Sequence, residues 1–379
     1  MSAAPSHPVA AAGGASARVL IAFDVGVGID LDLAARRLAE ASRAGLWHEG
    51  GTSRRTGTFE YEPLPLRLAS PAGSISVGGL AVAGEVEVTL FDFGSMSVHY
   101  RLPIPRELKI LRAAMPALAG SEVLVVEARR RVEAILERLG DAVDRPSVAA
   151  DAEDYVVLVM PPEADRPASV ESFDPQELAQ LLRAEQGELS EEEVRDSTAE
   201  RVSHGRSDLA VVDWHGALVI DAEPEPTVEV LEFANVQLLE FRHLDRQLDL
   251  ALTQAYETLR GGRRLGGGGG LGWRWSAASR DWRRLARQQV EAALLYESIQ
   301  NALKLVGDQS LARLMAATAR RFHLHRWEAS ILRKLEVLES IYSKYSDSQA
   351  HRRAEVLEWI IIALIAFEVV FGLLPTLWR

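Results

Sequence analysis

The short sequence EPEPT, at residues 223–227, separates two parts of the chain that have different hydrophobic patterns. Before it, β-branched runs and alternating residues are mixed with helical patterns; after it, apolar residues recur at helical spacing. Strands and helices in the first part do not alternate regularly, as they would in a doubly wound parallel sheet. We therefore predict an α+β domain over residues 17–222, followed by an all-α region.

Local signals place the main elements of the predicted α+β domain. β-Branched runs indicate strands, alternating runs on either side of a glycine indicate hairpins, and Asp before a helical pattern indicates an N-cap. The predicted elements, in chain order, are a strand over residues 17–23, a helix capped by Asp30, a hairpin turning at Gly94-Ser95, helices over Pro105–Leu118 and Glu122–Leu139, a strand over residues 154–160, a helix capped by Asp174 and a hairpin turning at His215-Gly216. Alternation in SEVLVVEA leaves a short strand as the alternative at the start of the Glu122 helix.

The region beyond residue 227 predicts a long helical hairpin over residues 228–350. The first helical pattern runs from Val228 to Leu259, and a later one resumes after Gly307-Asp308. From Ile331 the apolar residues follow a 4-3-4-3 spacing, which is typical of a coiled-coil seam. An ordinary helix-bundle face produces the same spacing. Both alternatives make this region all-helical.

Composition limits the broad class of protein. Residues 1–16 are rich in Ala, Pro, Gly and Ser and lack the apolar core of a signal peptide, so we predict a disordered leader. The net charge of −12 argues against a protein that coats nucleic acid with its whole surface. The absence of cysteine from the sequence excludes disulfides, thiolate zinc sites and cysteine nucleophiles.

An insert rich in Gly, Arg and Trp at residues 260–287 interrupts the helical region. It contains eight arginines and one acidic residue, with tryptophans between them. Arginine beside exposed aromatic rings suits contact with RNA or with anionic lipid headgroups. The alternative is a loop followed by a helix start whose tryptophans pack inward. The residues predicted to contact RNA or lipid are Arg263, Arg264, Trp273, Arg274, Trp275, Arg283 and Arg284.

Residues 354–378 predict a C-terminal transmembrane helix. Val356 to Leu374 is long enough to span about 28 Å as a helix, close to the thickness of a bilayer core of about 30 Å. Trp359 and Trp378 stand at the two ends, as interfacial aromatic residues do. The basic flank before the span predicts a single-pass tail anchor with the N-terminal bulk in the cytoplasm. A helix buried in the protein core is the alternative.

Two glutamates interrupt the predicted span. Glu358 lies beside Trp359, where its carboxyl can reach the headgroups, whereas Glu368 lies close to the middle. A charged group there costs on the order of 3 kcal/mol on insertion scales, which the apolar residues of the span outweigh. Glu368 and Gly372 share one stripe, and a polar group beside a small residue favours helix association. We therefore expect a homo-oligomer or a partner helix.

Three short motifs resemble sites but do not predict a cofactor, metal or catalytic group. His323 and His325 would point about 200° apart on a helix, so only His325 and Glu328 would share a face. The turn Asp213-Trp214-His215 lacks a nucleophile in a recognisable elbow. The sequence GVGID, at residues 26–30, lacks both the full GxGxxG pattern and a P-loop lysine.

The C-terminal residues carry a resemblance to a known family. Leu357, Glu358 and Trp359 precede an apolar segment that contains Glu368, and Phe91 to Gly94 reads FDFG. These motifs resemble the required-for-meiotic-nuclear-division family, a domain of unknown function. The resemblance implies an α/β domain, helices and a C-terminal span. Its eukaryotic members are mitochondrial inner-membrane scaffolds linked to translation, and the sequence here indicates a bacterial relative at the cytoplasmic membrane.

These observations predict a membrane-anchored, non-enzymatic scaffold that links a ribosome or RNA–protein assembly to the membrane. The alternative is an enzyme that acts on a nucleotide or nucleic acid, with its site in the α+β domain. A pocket formed by Asp24, Asp92 or Asp213 would favour the enzyme. A sheet without a pocket, together with an exposed basic loop, would favour the scaffold.

Overall fold

The computed structural model describes residues 14–43, 51–53, 63–164, 167–264, 308–341 and 343. These residues fall into two compact units. The first contains the described residues up to Leu244 together with residues 308–328, and the second contains those from Asp245 to residue 264 together with the described residues after Glu328. The long helix that begins at Glu225 contributes to both.

A nine-stranded sheet organises the first unit, and its strand order is β11-β12-β13-β10-β1-β8-β7-β4-β3. Neighbouring strands are antiparallel, except that β10 and β13 are parallel. This mixed sheet confirms the predicted α+β class. The strands are β1 (Ala15–Asp24), β2 (Gly28–Ile29), β3 (Gly51–Ser53), β4 (Leu66–Pro71), β5 (Ser76–Val77), β6 (Leu80–Ala81), β7 (Glu85–Phe91), β8 (Ser95–Ile104), β9 (Val143–Asp144), β10 (Glu153–Met160), β11 (Glu200–Val202), β12 (Leu209–Val212) and β13 (Gly216–Ile220).

The helices begin where the sequence places capping residues. The carboxylates of Asp30, Asp174 and Asp308 each accept a hydrogen bond from a backbone N–H of the first helical turn, which satisfies donors that have no partner within the helix. The helices are α1 (Leu31–Arg43), α2 (Leu108–Leu118), α3 (Glu122–Leu139), α4 (Pro175–Arg183), α5 (Glu191–Ser197), α6 (Glu225–Arg264) and α7 (Gln309–Arg321), followed by helical residues 324–341.

One face of the sheet packs against α1 to α4 and is apolar. Alternate residues of β1, including Val19, Ile21 and Phe23, point to this side because successive strand residues face opposite ways. They belong to one hydrophobic cluster with Leu111 of α2 and Leu124 of α3. This face is the hydrophobic core of the first unit.

The other face of the sheet contacts α6. Fourteen consecutive residues of this helix, Val228 to Phe241, are buried. A helix that is buried all round is normally apolar all round, yet five polar residues lie within this stretch. They are Glu229, Glu232, Asn235, Gln237 and Glu240.

The second unit contains two helical segments joined by ion pairs. The Lys334 ammonium lies 2.8 Å from the carboxylate of Asp245 and 2.6 Å from that of Asp249. Ile331 and Leu338 of the predicted seam are buried. Within the described residues these contacts do not extend over the length that a coiled coil requires, so they do not support the coiled-coil prediction; Tyr342 and Tyr345 of the predicted seam lie outside the described residues.

Two boundary predictions need correction. Ala15 and Ser16, placed in the leader, belong to β1, because the partner strand β8 continues to Pro103 and Ile104 and offers them backbone partners. The helical pattern after residue 308 is also interrupted, because Phe322 and His323 form a turn between α7 and residue 324. The first thirteen residues lie outside the described part of the chain.

Among the described helices, none combines the length and the apolar character needed to cross a membrane. The predicted span, residues 354–378, lies outside the described residues.

Candidate functional site

A layer of polar side chains lies between α6 and the sheet. The sequence of β8 explains the sheet side, because Ser95, Ser97 and His99 alternate with apolar residues and therefore share one face. Such alternation is typical of a strand with one solvated face, but here all three residues are buried. We call this layer, formed by Arg18, Asp24, Arg67, Ser95, Ser97 and His99 with Glu225, Glu229, Glu232, Asn235, Glu240 and His243, the polar interface.

At one end of the polar interface the charges are paired. The Arg67 guanidinium lies 3.1 Å from a carboxylate oxygen of Glu229 and 3.7 Å from one of Glu232. Burial lowers the pKa of Arg67, but the carboxylates outweigh it and hold that pKa above its usual value. Arg18 of β1, which is separated from the Arg67 strand by β8 and β7, donates a 2.9 Å hydrogen bond to Glu225. This end is an ion-pair network.

At the other end two carboxyl groups lie together without an arginine or lysine in contact among the described residues. The Ser95 hydroxyl donates to Oε1 of Glu240, and Ser95 is the cross-strand partner of Asp24. Burial raises the pKa of Asp24 to about 7. Burial, and then the neighbouring Asp24, raise the pKa of Glu240 well above its usual range. Both groups therefore hold protons more tightly than ordinary carboxyls.

His243 completes this end of the polar interface. Its Nε2 lies 3.8 Å from Oδ1 of Asp24, and burial lowers the pKa of the imidazole. A neutral histidine does not balance the charge of a carboxylate. Oε2 of Glu240 has no hydrogen-bond partner within the described residues, and Glu240 is fully buried. We refer to Asp24 and Glu240 as the acid pair.

The loop at residues 26–30 packs on the turn of the β7–β8 hairpin. Val27 and Ile29 donate their backbone N–H groups to the carbonyls of Asp144 and Asp92. Gly94 has a φ of 97°, and a Cβ atom there would collide with the carbonyl of Gly26. These N–H groups serve the packing of the loop, whereas a phosphate-binding loop aims such groups at its ligand. This geometry disfavours nucleotide binding at GVGID.

Asp213 is the centre of a second ion-pair network. Its carboxylate is fully buried, accepts a hydrogen bond from Arg321 of α7 and lies 2.6 Å from Nε of Arg183 of α4. Asp196 also accepts hydrogen bonds from both arginines, at 2.7 and 2.8 Å. Burial raises the pKa of Asp213, and the two arginines oppose that shift. The carboxylate joins α4 and α7 to the β12–β13 hairpin.

The turn after Asp213 packs on α6 through a stacked arginine. The guanidinium of Arg242 lies 5.6 Å from the ring centre of Trp214 and 5.8 Å from that of Trp327. Arg242 also donates a 2.5 Å hydrogen bond to Glu153. Cation–π contacts of this kind stabilise the packing of the turn. A structural role therefore accounts for the turn residues Asp213-Trp214-His215.

The predicted histidine motif is divided by a change in backbone direction. His323 has a φ of 51° and precedes the helix, so His323 and His325 do not lie on one helix and the predicted 200° separation does not apply. No group of three or more metal-binding side chains with suitable geometry occurs in the described part of the chain.

The structure includes two small clefts in the first unit. One lies beside β12, β13 and α7, and the other lies between β4, β7 and α6, where Arg67, Glu229 and Glu232 line it. Neither cleft includes Asp24, Asp92 or Asp213. The three acids named as candidates are therefore not gathered around an open cavity there. Asp92 lies at the β7–β8 turn, and burial raises its pKa to about 6.

The predicted interaction residues remain predictions. Arg263 and Arg264 are in the last turn of α6, but their side chains are not among those described. The other residues of this group lie outside the described residues. They are Trp273, Arg274, Trp275, Arg283, Arg284, Glu358, Trp359, Glu368, Gly372 and Trp378.

The sequence patterns do not predict the acid pair. The leucines and valines of α6 predict the helix, whereas its glutamates are of the residue type that ordinarily lies on a solvated side. A usable signal was present in two places at once. Polar residues alternate along β8, and acids recur on α6 at about one-turn spacing. Two complementary polar surfaces on neighbouring elements are compatible with burial against each other.

The chain is similar to the uncharacterized protein MJ0711 of Methanocaldococcus jannaschii. The two are 26% identical over 198 residues, which cover 52% of this chain and 58% of that protein. The match thus spans less than two thirds of the relative's length. No solved structure matches the chain. These comparisons do not confirm the resemblance to the required-for-meiotic-nuclear-division family.

The matched region contains the sheet and the helices on its apolar face. Residues 14–227 match a domain family of unknown function, and the match includes Asp24, Arg67 and Ser95 but ends before Glu229. The family match therefore covers the strand side of the polar interface, together with Glu225 at the start of α6. Because more than half of the chain matches, the protein belongs to the family described as uncharacterized protein MJ0711, N-terminal domain.

Proposed function

We propose that this protein is a non-enzymatic scaffold that is anchored to a membrane by residues 354–378. The observation that carries the proposal is the placement of the candidate acids. Asp213 is held by two arginines, and Asp24 lies under α6 beside Glu240. Catalytic groups need access to a substrate, and helices cover both faces of the sheet at these positions. Packing of this kind favours a structural role.

The C-terminal anchor supplies the location in this proposal. The apolar segment, its tryptophans and its basic flank support a single-pass helix with the N-terminal bulk in the cytoplasm. Glu368 and Gly372 supply a surface for self-association within the membrane. The resemblance to the required-for-meiotic-nuclear-division family, whose eukaryotic members are mitochondrial inner-membrane scaffolds linked to translation, points in the same direction.

The arginine- and tryptophan-rich insert at residues 260–287 is the proposed binding surface for the partner. Its arginines neutralise phosphates and its tryptophans stack on bases, so a ribosome or another RNA–protein assembly is the proposed cargo. Anionic lipid headgroups offer the same phosphate chemistry. Both interactions weaken with salt, so binding to protein-free RNA and binding to anionic lipid vesicles, measured separately, distinguish these two sources.

The anchor is tested by flotation of cell membranes with the intact chain and with a truncation that removes His351–Arg379. We expect the intact chain to float with membranes and the truncation to remain at the bottom of the gradient. Glu368→Leu serves as the matched control for the anchor, since it should float but lose higher oligomers in detergent. An intact chain that stays at the bottom of the gradient would rule out the anchor.

The cargo is tested by pull-down from solubilised membranes. We expect ribosomal components with the intact chain and a loss of at least tenfold when Arg274, Arg283 and Arg284 are changed to Ala, because several phosphate contacts are removed together. Arg36→Ala, Arg37→Ala and Arg201→Ala in one chain remove the same charge elsewhere and should leave recovery unchanged. Equal losses in both variants would indicate a general charge effect and would contradict specific RNA binding by the insert.

One observation favours the alternative of an enzyme acting on a nucleotide or nucleic acid. A carboxyl with a pKa of about 7, such as Asp24, has the protonation behaviour of a general acid or base at neutral pH. The alternative predicts hydrolysis of nucleotides or RNA by the intact chain, reduced at least 100-fold in Asp24→Asn. Activity that is absent, or equal in both proteins, would eliminate it.

A further inference from the structure

The acid pair lies where α6 approaches its last residues in the first unit. Glu240 and His243 are in the turn before Leu244, the last residue of α6 that belongs to the first unit. At the Arg67 end of the same helix, each buried carboxylate has a guanidinium within 4 Å. A buried carboxylate without a cation must either hold a proton or destabilise the packing around it.

The elements around the acid pair contribute identified charged, titratable or hydrogen-bonding groups. On α6 the neighbours are His243, which faces Asp24, and Arg242, which is engaged by Glu153 of β10. Strand β8 contributes the hydroxyl of Ser95. The β7–β8 turn contributes Asp92, and on the opposite face of the sheet Arg129 of α3 stacks on Phe23 and donates to the carbonyls of Ala149 and Ala150.

We propose that the contact between α6 and the Asp24–Glu240 end of the sheet is a proton-sensitive latch, which is closed while the two carboxyls hold protons and loosens when they ionise. The Ser95 hydroxyl has one proton, which it donates to Glu240, so it leaves Asp24 without that donor. Ionisation of both acids places two like charges under the helix, and the imidazole of His243, 3.8 Å from Asp24, is kept neutral by burial and does not offset them. Repulsion and burial then act in the same direction, and movement of α6 toward water relieves both.

Hydrogen–deuterium exchange of the full chain in detergent tests the latch. Peptides from residues 228–244 are compared between pH 5.5 and pH 8.5, after correction for the intrinsic pH dependence of exchange. We expect protection of these amides to fall at least about tenfold over this range in the natural chain, since one unit of pKa corresponds to a tenfold change in population. Peptides from α3, on the apolar face, should keep their protection.

Two variants remove the titrating groups with little change of shape. Glu240→Gln and Asp24→Asn should each reduce the loss of protection at pH 8.5 to less than about threefold. The matched control is Glu229→Gln, which changes a carboxyl on the same helix that is paired with Arg67 and should leave the pH dependence as in the natural chain. If one variant fails to fold, the other still decides the result.

Three outcomes would overturn the latch. Protection that does not change with pH in the natural chain would do so. An unchanged pH dependence in both Glu240→Gln and Asp24→Asn would assign the effect to other groups. Full recovery of protection by 1 mM MgCl2 or CaCl2 at pH 8.5, lost in Glu240→Gln, would show that a divalent cation occupies the acid pair in place of protons.

Discussion

The two faces of one sheet are packed by different physical means. Toward α1 to α4, the strands present a continuous apolar surface that includes Val19, Ile21 and Phe23. Toward α6, the intervening positions of the same strand include Arg18 and Asp24. Both faces are buried, but one is packed by hydrophobic contact, whereas the other combines an ion-pair network at the Arg67 end with the acid pair at the Asp24 end.

The difference teaches how each face tolerates change. Apolar packing is non-directional and depends mainly on volume, so similar hydrophobic residues substitute for one another at modest cost. A buried polar interface depends on each partner, because removing one group leaves another without its hydrogen bond or counter-charge. We therefore expect the polar interface to determine how α6 is oriented on the sheet, and the apolar face to supply most of the stability.

The largest effect is expected where a buried cation is removed from the polar interface. Arg67→Ala leaves Glu229 and Glu232 without their guanidinium, and we expect the free energy of unfolding to fall by about 3–5 kcal/mol at pH 7. Urea denaturation followed by circular dichroism measures the change. Arg37→Ala removes the exposed pair with Asp141 and should cost about 0–1 kcal/mol. Equal effects would show that the Arg67 network is not effectively buried.

The apolar face should respond to lost volume. Leu124→Ala removes a fully buried side chain of α3, and we expect a loss of about 3 kcal/mol that does not depend on pH. The neighbouring Val123 is 59% exposed, so Val123→Ala should change stability by no more than about 0.5 kcal/mol. Urea denaturation at pH 6 and pH 8 separates this face from the polar one. A pH-dependent loss in Leu124→Ala would contradict the distinction.

The acid pair should make the polar face sensitive to pH. The folded-state pKa of Asp24, about 7, lies above its ordinary value of 3.8, so the folded chain holds this proton more tightly. Its contribution to stability is complete below the ordinary value and is lost as the pH rises through 7. Between pH 6 and pH 8 the natural chain should therefore lose about 1.4 kcal/mol, the equivalent of one pKa unit, and Asp24→Asn should not show this loss. Thermal unfolding of both proteins at pH 6 and pH 8 measures this.

The control for the acid pair is an exposed carboxyl. Glu40→Gln on α1 changes a side chain that is mostly in solvent and should shift stability by less than about 0.5 kcal/mol at either pH. A natural chain that is more stable at pH 8 than at pH 6, with Asp24→Asn showing the same trend, would mean that Asp24 does not control the pH dependence.

The smallest effect is expected at the stacked arginine. Arg242→Lys keeps the positive charge near Glu153 but replaces the planar group between Trp214 and Trp327. We expect a loss of about 1 kcal/mol and a change in tryptophan fluorescence. Arg201→Lys, at an exposed pair with Glu171, should show neither. An unchanged fluorescence spectrum in Arg242→Lys would indicate that the stacking is absent in solution.

Local patterns predicted much of the fold. The predicted hairpin at Gly94, the helix capped by Asp174 and the start of α7 after Asp308 are confirmed, because turn and cap chemistry act within a few residues. The helical pattern from Val228 predicted α6. The predicted start of β1 at Ala17 is two residues after the observed start, because the extent of β1 depends on pairing with β8, which is distant in sequence.

The candidate site was the part that sequence reasoning could not assemble. Asp24 and Asp213 were both singled out as acids, but their neighbours, Glu240 and Arg321, were not. Those partners are separated from them by 216 and 108 residues (240 − 24 and 321 − 213). No periodicity spans such distances, since pairing over them is a property of the packed chain.

The sequence by itself determined the α+β class, the helical second part and the caps and turns that bound the elements. These features depend on side-chain periodicity and on backbone chemistry between near neighbours. The tertiary structure alone decided that the polar side of β8 is buried. Alternating residues look the same whether water or a polar helix covers them, and the packing of α6 on that side is what converts Asp24 and Glu240 from ordinary acids into a buried pair.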